Sequence, residues 1–224
     1  AVKTPYVPKQ VVVSEPADLK APGLGADFVI ISHKRFLPAV EKLAAARRRQ
    51  GLATQVVDVD DVYDRFAAGL FQPEAIRDFL KYAWSSWTPR PRYVLLVGDA
   101  SWDYKNATVS DENYADWHWS TDWAREVPKN PLDPYRSPVD KNDRLFVPTY
   151  QFQSPWGHAA SDNHFASLTT TDGRPDIAVG RLPVATLEEA NAVVEKILAY
   201  DRLPEGDIKN AVFVTNDEVG FQMQ

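Results

Sequence analysis

The chain has 224 residues, a formal net charge of −6 and a pI near 5.3, an acidic balance that argues against non-specific nucleic-acid binding, which needs a basic surface. With 44% hydrophobic and 25% charged residues it has the composition of a globular protein able to bury a core, as one large domain or two small ones, and no apolar run is long enough to span a membrane. It contains no cysteine, which excludes disulfides, thiolate zinc sites and a thiol nucleophile within these 224 residues.

Residues 1–25 are proline-rich and read as an extended lead-in, with one apolar run at Val11-Val-Val13. Regular structure is predicted from Asp27-Phe-Val-Ile-Ile31, a continuous apolar run of the kind that forms a strand buried on both faces. Phe36, Val40, Leu43 and Ala44 then recur at helical spacing, and Arg47-Arg-Arg-Gln-Gly51 supplies the cations and glycine of a helix stop. A second strand is expected over Thr54–Val59. After a short link, Pro73 opens a helix with Ile76, Phe79, Leu80 and Ala83 on one face, which leads to a third strand at Tyr93–Val97. Strands alternating with helices of this length predict βαβ units packed as a parallel sheet.

From Ala100 to about Ala160 the periodicity fails, prolines are frequent, and five of the seven tryptophans occur: Trp102, Trp117, Trp119, Trp123 and Trp156. A stretch of this length without clear elements is either functional or hides short elements. Order resumes at Ile177-Ala-Val179, read as a strand, and Thr186-Leu-Glu-Glu189 forms a capping box ahead of a helix that buries Ala190, Val193, Val194, Ile197 and Leu198. A last strand is expected at Ala211-Val-Phe-Val214, leading to Thr215-Asn-Asp217. The chain opens on Ala1 without an initiator methionine and stops just past that strand, where an α/β fold would continue, so a piece of a longer protein is expected.

Two motifs, Tyr93-Val-Leu-Leu-Val-Gly-Asp99 and Pro175-Asp-Ile-Ala-Val-Gly-Arg-Leu-Pro183, stand in order with Phe28–Ile31, Gly51-Leu-Ala-Thr-Gln-Val56, Ala75-Ile76 and Ser161-Asp162. In this arrangement the chain resembles the amino-terminal part of the gingipain-like cysteine peptidases (family C25), over roughly residues 26–217. The resemblance implies an α/β fold, a caspase-like or Rossmann-like three-layer sandwich around a mostly parallel sheet, here carrying a long irregular tryptophan-rich insertion. It also implies four regions: the lead-in at 1–25, a first α/β subdomain at 26–99, the insertion at 100–160, and the start of a second, catalytic subdomain at 161–224.

In such a peptidase a cysteine and a histidine on later strands carry the reaction, so no catalytic residue is assigned to this chain. The histidine of Gly157-His158 precedes the Gly180-Arg181 motif, whereas the family's histidine follows it. The implied parent is a secreted bacterial endopeptidase, extracellular or at the cell surface. It would engage a protein or peptide substrate through a carboxy-terminal part missing from this chain, which would itself be inactive. Candidate substrate-wall residues are Asp217 and Glu218 after the last strand and Asp99 after the third, because ligands of open parallel sheets gather beyond the carboxyl ends of the strands. The competing reading of each is a turn or helix cap.

No cofactor is required. The resemblance allows a structural calcium, for which Asp99 and Asp103 are the candidate ligands, with Asp111 and Glu112 nearby; solvated loop charges are the competing explanation. Zinc at His118, His158 and His164 lacks an i, i+4 histidine pair. Arg181 is expected to hold structure by pairing with Asp162 or Asp176, and Arg47-Arg-Arg49 to complement a helix C-terminus. The alternative function is a non-catalytic adhesion or carbohydrate-binding module, using Asp116-Trp-His-Trp-Ser-Thr-Asp-Trp123 as a stacking platform. A nucleotide-binding flavodoxin-like protein is disfavoured, since no phosphate-cradling glycine motif follows a strand.

Overall fold

The computed structural model describes residues 14–100, 146–154, 157–170 and 174–204. The tryptophans of the insertion, the apolar runs at Val11 and Ala211, and Asp103, Asp217 and Glu218 lie outside the described residues.

The apolar run at Phe28 forms β1 (Phe28–Ser32), in which four of five residues are buried. The chain turns through a short 3-10 segment into α1 (Leu37–Arg49), which buries Ala39, Val40, Leu43, Ala44 and Ala46 on one face. Its stop is the predicted one: Gly51 adopts φ +87°, a left-handed value that a β-carbon disfavours, and the N–H groups of Gly51 and Leu52 return to the carbonyls of Arg48 and Arg47. β2 follows at Thr54–Asp58.

Here the structure departs from the predicted strand through Val59 and the link after it. Asp58 ends β2 and caps α2 (Val59–Phe66) by accepting from the Asp60 N–H. The run Val56-Val-Asp-Val59 hid this boundary, because Val59 suits either the end of a strand or the first turn of a helix; the carboxylates of Asp58, Asp60 and Asp61 at the helix start decide for the helix. α3 (Glu74–Ser86) buries Ala75, Ile76, Phe79, Leu80 and Ala83, and Pro73 stands at its cap position. β3 spans Tyr93–Val97.

Within the last part of the stretch read as an insertion, two strands that the irregular sequence concealed pair antiparallel as a hairpin, β4 (Tyr150–Ser154) and β5 (Gly157–Ser161), with Tyr150 opposite Ser161. The short helix α4 (Asn163–Ala166) follows. β6 occupies Ala178–Leu182, not 177–179, so Gly180-Arg181 lies within a strand and is not a turn. The cause is pairing: β6 runs parallel to β3 in register from Tyr93↔Ala178 to Val97↔Leu182, which carries extended backbone past the glycine. α5 (Leu187–Tyr200) begins at the predicted capping box, with Thr186 and Glu189 exchanging hydrogen bonds.

β1, β2, β3 and β6 make one parallel sheet in the order β2-β1-β3-β6. One face packs on α1 and α5 through Ile30, Phe36, Val40, Leu43, Val97, Val184 and Val194. The other packs on α2, α3 and α4 through Val29, Ile31, Val62, Phe79, Leu96 and Phe165. The arrangement is the three-layer α/β sandwich expected from the sequence, with helices on both faces of a parallel sheet. Among the described residues no helix is long and apolar enough to cross a membrane.

The capping box gives the first test of these local assignments. Thr186→Ala removes the acceptor for the Glu189 N–H and is expected to lower unfolding stability by about 1 kcal/mol in urea denaturation.

Candidate functional site

All four sheet strands point their carboxyl ends at one edge, where open parallel sheets bind their ligands. β1 delivers Ser32 and His33 there, β2 delivers Asp58, β3 delivers Gly98 and Asp99, and β6 delivers Leu182. The segment returning from the insertion, Phe146–Thr149, is buried against the same edge.

Strand order reverses between β1 and β3, so the crevice for a bound nucleotide would be expected between their ends. Phe146 fills that place. Its ring is fully buried, with ring centroids 5.0 Å from Phe36 and 5.1 Å from the buried His33, and the Arg35 guanidinium lies 4.9 Å above it. Gly98 is matched to this plug: a β-carbon there would stand 2.7 Å from Cβ of Phe146, at a backbone φ of +142° that favours glycine. The Val-Gly-Asp motif is therefore a packing device as much as a turn. His33 accepts the Arg35 N–H at Nδ1 and caps the 3-10 segment.

The wall on the β3–β6 side is built around Arg181. Its Nε donates to Asp162 at 2.7 Å and Nη2 to the second oxygen of the same carboxylate at 2.8 Å. Nη1 donates to the carbonyls of Gly98 and Val147, both at 2.8 Å, and Nη2 also donates to Pro148 at 3.1 Å. All five guanidinium N–H groups are thus used. One side chain ties together β6, the end of β3, the foot of β4 and the residue that ends the hairpin. Of the two carboxylates proposed as its partner, Asp162 takes the place. Asp176 instead accepts from the backbone N–H groups of Leu168 and Thr169 and the Thr169 hydroxyl, which hold its carboxyl below the usual range.

Asp99, proposed as a wall and calcium residue, sits at this edge. Its N–H donates to the Val184 carbonyl at 2.9 Å, and its carboxylate accepts the Ala100 N–H at 2.8 Å. The carboxylate thus bonds the backbone of the next residue. Among the described residues no group of three or more His, Asp or Glu side chains could hold a metal ion. His158 falls on β5, in register with Gln153. His164 stacks on Tyr150 at 3.4 Å between ring centroids, and burial, followed by the charge of Arg77, lowers its pKa.

Sequence reasoning passed over Asp58, His33 and Phe146. Asp58 is pushed up from 3.8 to about 6, chiefly by burial, with Asp60 and Asp61 adding to the rise while the Asp60 N–H and Lys34 oppose it. A polar residue ending an apolar strand just before a carboxylate-rich turn was the available signal.

Two outcomes test this edge. Arg181→Met leaves Asp162 without its cation and three carbonyls without their donor, and is expected to cost about 3 kcal/mol or more by urea denaturation; Arg181→Lys, lacking the fork, recovers only a minor part. For Asp58, the folded chain binds the proton more tightly than the unfolded chain, so the carboxyl costs stability above about pH 6 and the cost fades as pH falls toward 4. Asp58→Asn, which keeps an acceptor for Asp60, should therefore be more stable than the parent at pH 8, with the difference shrinking at pH 5.

Comparison with known proteins places this geometry. The model of Peptidase family C25 matches residues 21–223. Among solved structures, dimeric latent PorU from Porphyromonas gingivalis matches with a TM-score of 0.55 and 26% identity, over 78% of this chain and 15% of that one. The chain thus spans about one seventh of the length of that relative. A structure described as a protease matches with a TM-score of 0.46 and 13% identity, over 82% of this chain and 29% of that one. No curated protein matches. The motif order, the parallel sheet with helices on both faces, and a family match across nearly the whole sequence agree: the chain belongs to peptidase family C25, the gingipain-like cysteine peptidases.

Proposed function

We propose that these 224 residues are the scaffold portion of a secreted, gingipain-like cysteine endopeptidase, and that they carry no peptidase activity by themselves. One observation carries the reading: a chain matched to a cysteine-peptidase family over residues 21–223 contains no cysteine. Peptide-bond hydrolysis in this class needs a thiolate and a histidine within hydrogen-bond reach, with a preorganised oxyanion hole. The thiol must then come from outside this sequence.

What the chain contributes is a wall. Asp99, the Arg181–Asp162 pair and the hairpin feet stand at the carboxyl edge beside β6, while Phe146 closes the crevice between β1 and β3. A substrate peptide would be held along the β3–β6 side, with Asp217 and Glu218 as further wall residues. No step of the reaction is assigned to calcium. An extracellular location follows from the same family reading.

The test is direct. The purified chain, incubated with a panel of unstructured protein and peptide substrates under reducing conditions, should give no cleavage above a buffer control. Hydrolysis that iodoacetamide blocks would overturn the reading.

A further inference from the structure

Residues 14–20 lie across α2 and the end of α3, and their hold is unlike that of any strand in the sheet. The Ser14 hydroxyl donates to the Asp64 carboxylate at 2.5 Å. Arg65 donates from Nε to the Ala17 carbonyl at 3.0 Å and from Nη2 to the Pro16 carbonyl at 2.9 Å. Leu19, 4% exposed, sits in the apolar cluster that contains Val62, Tyr63, Phe79 and Trp87. The Lys20 ammonium stands 4.6 Å above the Phe66 ring and 5.7 Å from that of Tyr82, whose hydroxyl donates to the Lys20 carbonyl.

Among the described residues, the backbone-to-backbone hydrogen bonds of this segment are local, from Leu19 to Ala17 and from the adjoining Ala21 to Asp18. The first such bond to the body is made by Thr88 to the Leu24 carbonyl, followed by that of Ala26 to Pro89. Between the two regions runs an exposed turn in which Gly23 takes φ +81°. Releasing residues 14–20 therefore breaks side-chain contacts but no rung of the sheet, and the hinge already exists.

We propose that residues 14–20 form a strap that opens and closes as one unit, independently of the α/β body, with Arg65 as its latch and Leu19 as its plug. Opening bares the apolar seat of Leu19 on the α2–α3 flank. Arg65 is the latch because, among the described residues, it alone grips two consecutive strap carbonyls with one planar fork, and charge-assisted bonds of this kind are about twice as strong as neutral ones.

The lack of native cysteine makes the test clean, since a single introduced thiol is the only one present. Leu19→Cys reports the strap, and Ala44→Cys, fully buried in α1, reports the body. Labelling by a dithiodipyridine reagent in the folded 224-residue protein should be faster at the first than at the second by more than tenfold. Adding Arg65→Gln should raise labelling at the Leu19→Cys position by about tenfold to a hundredfold, as loss of hydrogen bonds from a charged donor implies, and leave the Ala44→Cys position unchanged. Arg65→Lys should fall between. Equal protection of the two thiols in the parent would mean that the strap opens only by global unfolding and would overturn the proposal. So would an Arg65→Gln effect that is absent, or equal at both positions.

Discussion

A single guanidinium organises the carboxyl edge of this molecule. Arg181 enters from β6 and spends its five donors on one carboxylate and three carbonyls drawn from three different segments. Gly98 closes β3, Val147 and Pro148 lead into the hairpin, and Asp162 follows it. A buried carbonyl left without a donor costs on the order of 1–3 kcal/mol. The planar fork meets the carboxylate with two parallel bonds, which fixes orientation as well as distance. The pairing of β6 with β3 carries Gly180-Arg181 into the sheet, and from there the side chain reaches all five acceptors.

The second constraint is steric. In an open parallel sheet the reversal of strand order leaves a crevice, and many proteins of this architecture place a ligand there. Here Phe146 occupies it, packed on Phe36 and His33 under the Arg35 guanidinium, and Gly98 leaves the room that its Cβ requires. Phosphate chemistry at that point would have to displace a fully buried aromatic ring. The Arg181 network stands on the other side, between β3 and β6. A protein of this sheet order thus argues against nucleotide binding by its packing, in agreement with the absence of a glycine-rich phosphate loop.

Asp58 marks how the same edge tolerates unfavourable electrostatics. Its carboxyl is desolvated beside two other carboxylates, yet it caps α2 and so gives the chain a sharp exit from β2. Asp176 shows the opposite case, an exposed carboxylate whose three hydrogen bonds close the loop between α4 and β6.

Much of this was legible in the residues themselves. The apolar runs at Phe28 and Tyr93, the helical spacing from Val40 to Ala44 and from Ile76 to Ala83, the Gly51 stop and the Thr186–Glu189 box all act through local periodicity and local hydrogen bonds, so the sequence by itself determined them. The same holds for the missing thiol and the family to which the ordered motifs point. Pairing between distant strands carried β6 through Gly180-Arg181, and tertiary structure joined β4 to β5. It alone chose Asp162 over Asp176 as the partner of Arg181, and seated Phe146 over the end of β1. Arg181 meets Asp162 from 19 positions away in the chain and Gly98 from 83. Periodicity carries no record of such contacts; only the closed sheet brings their two halves within bonding distance.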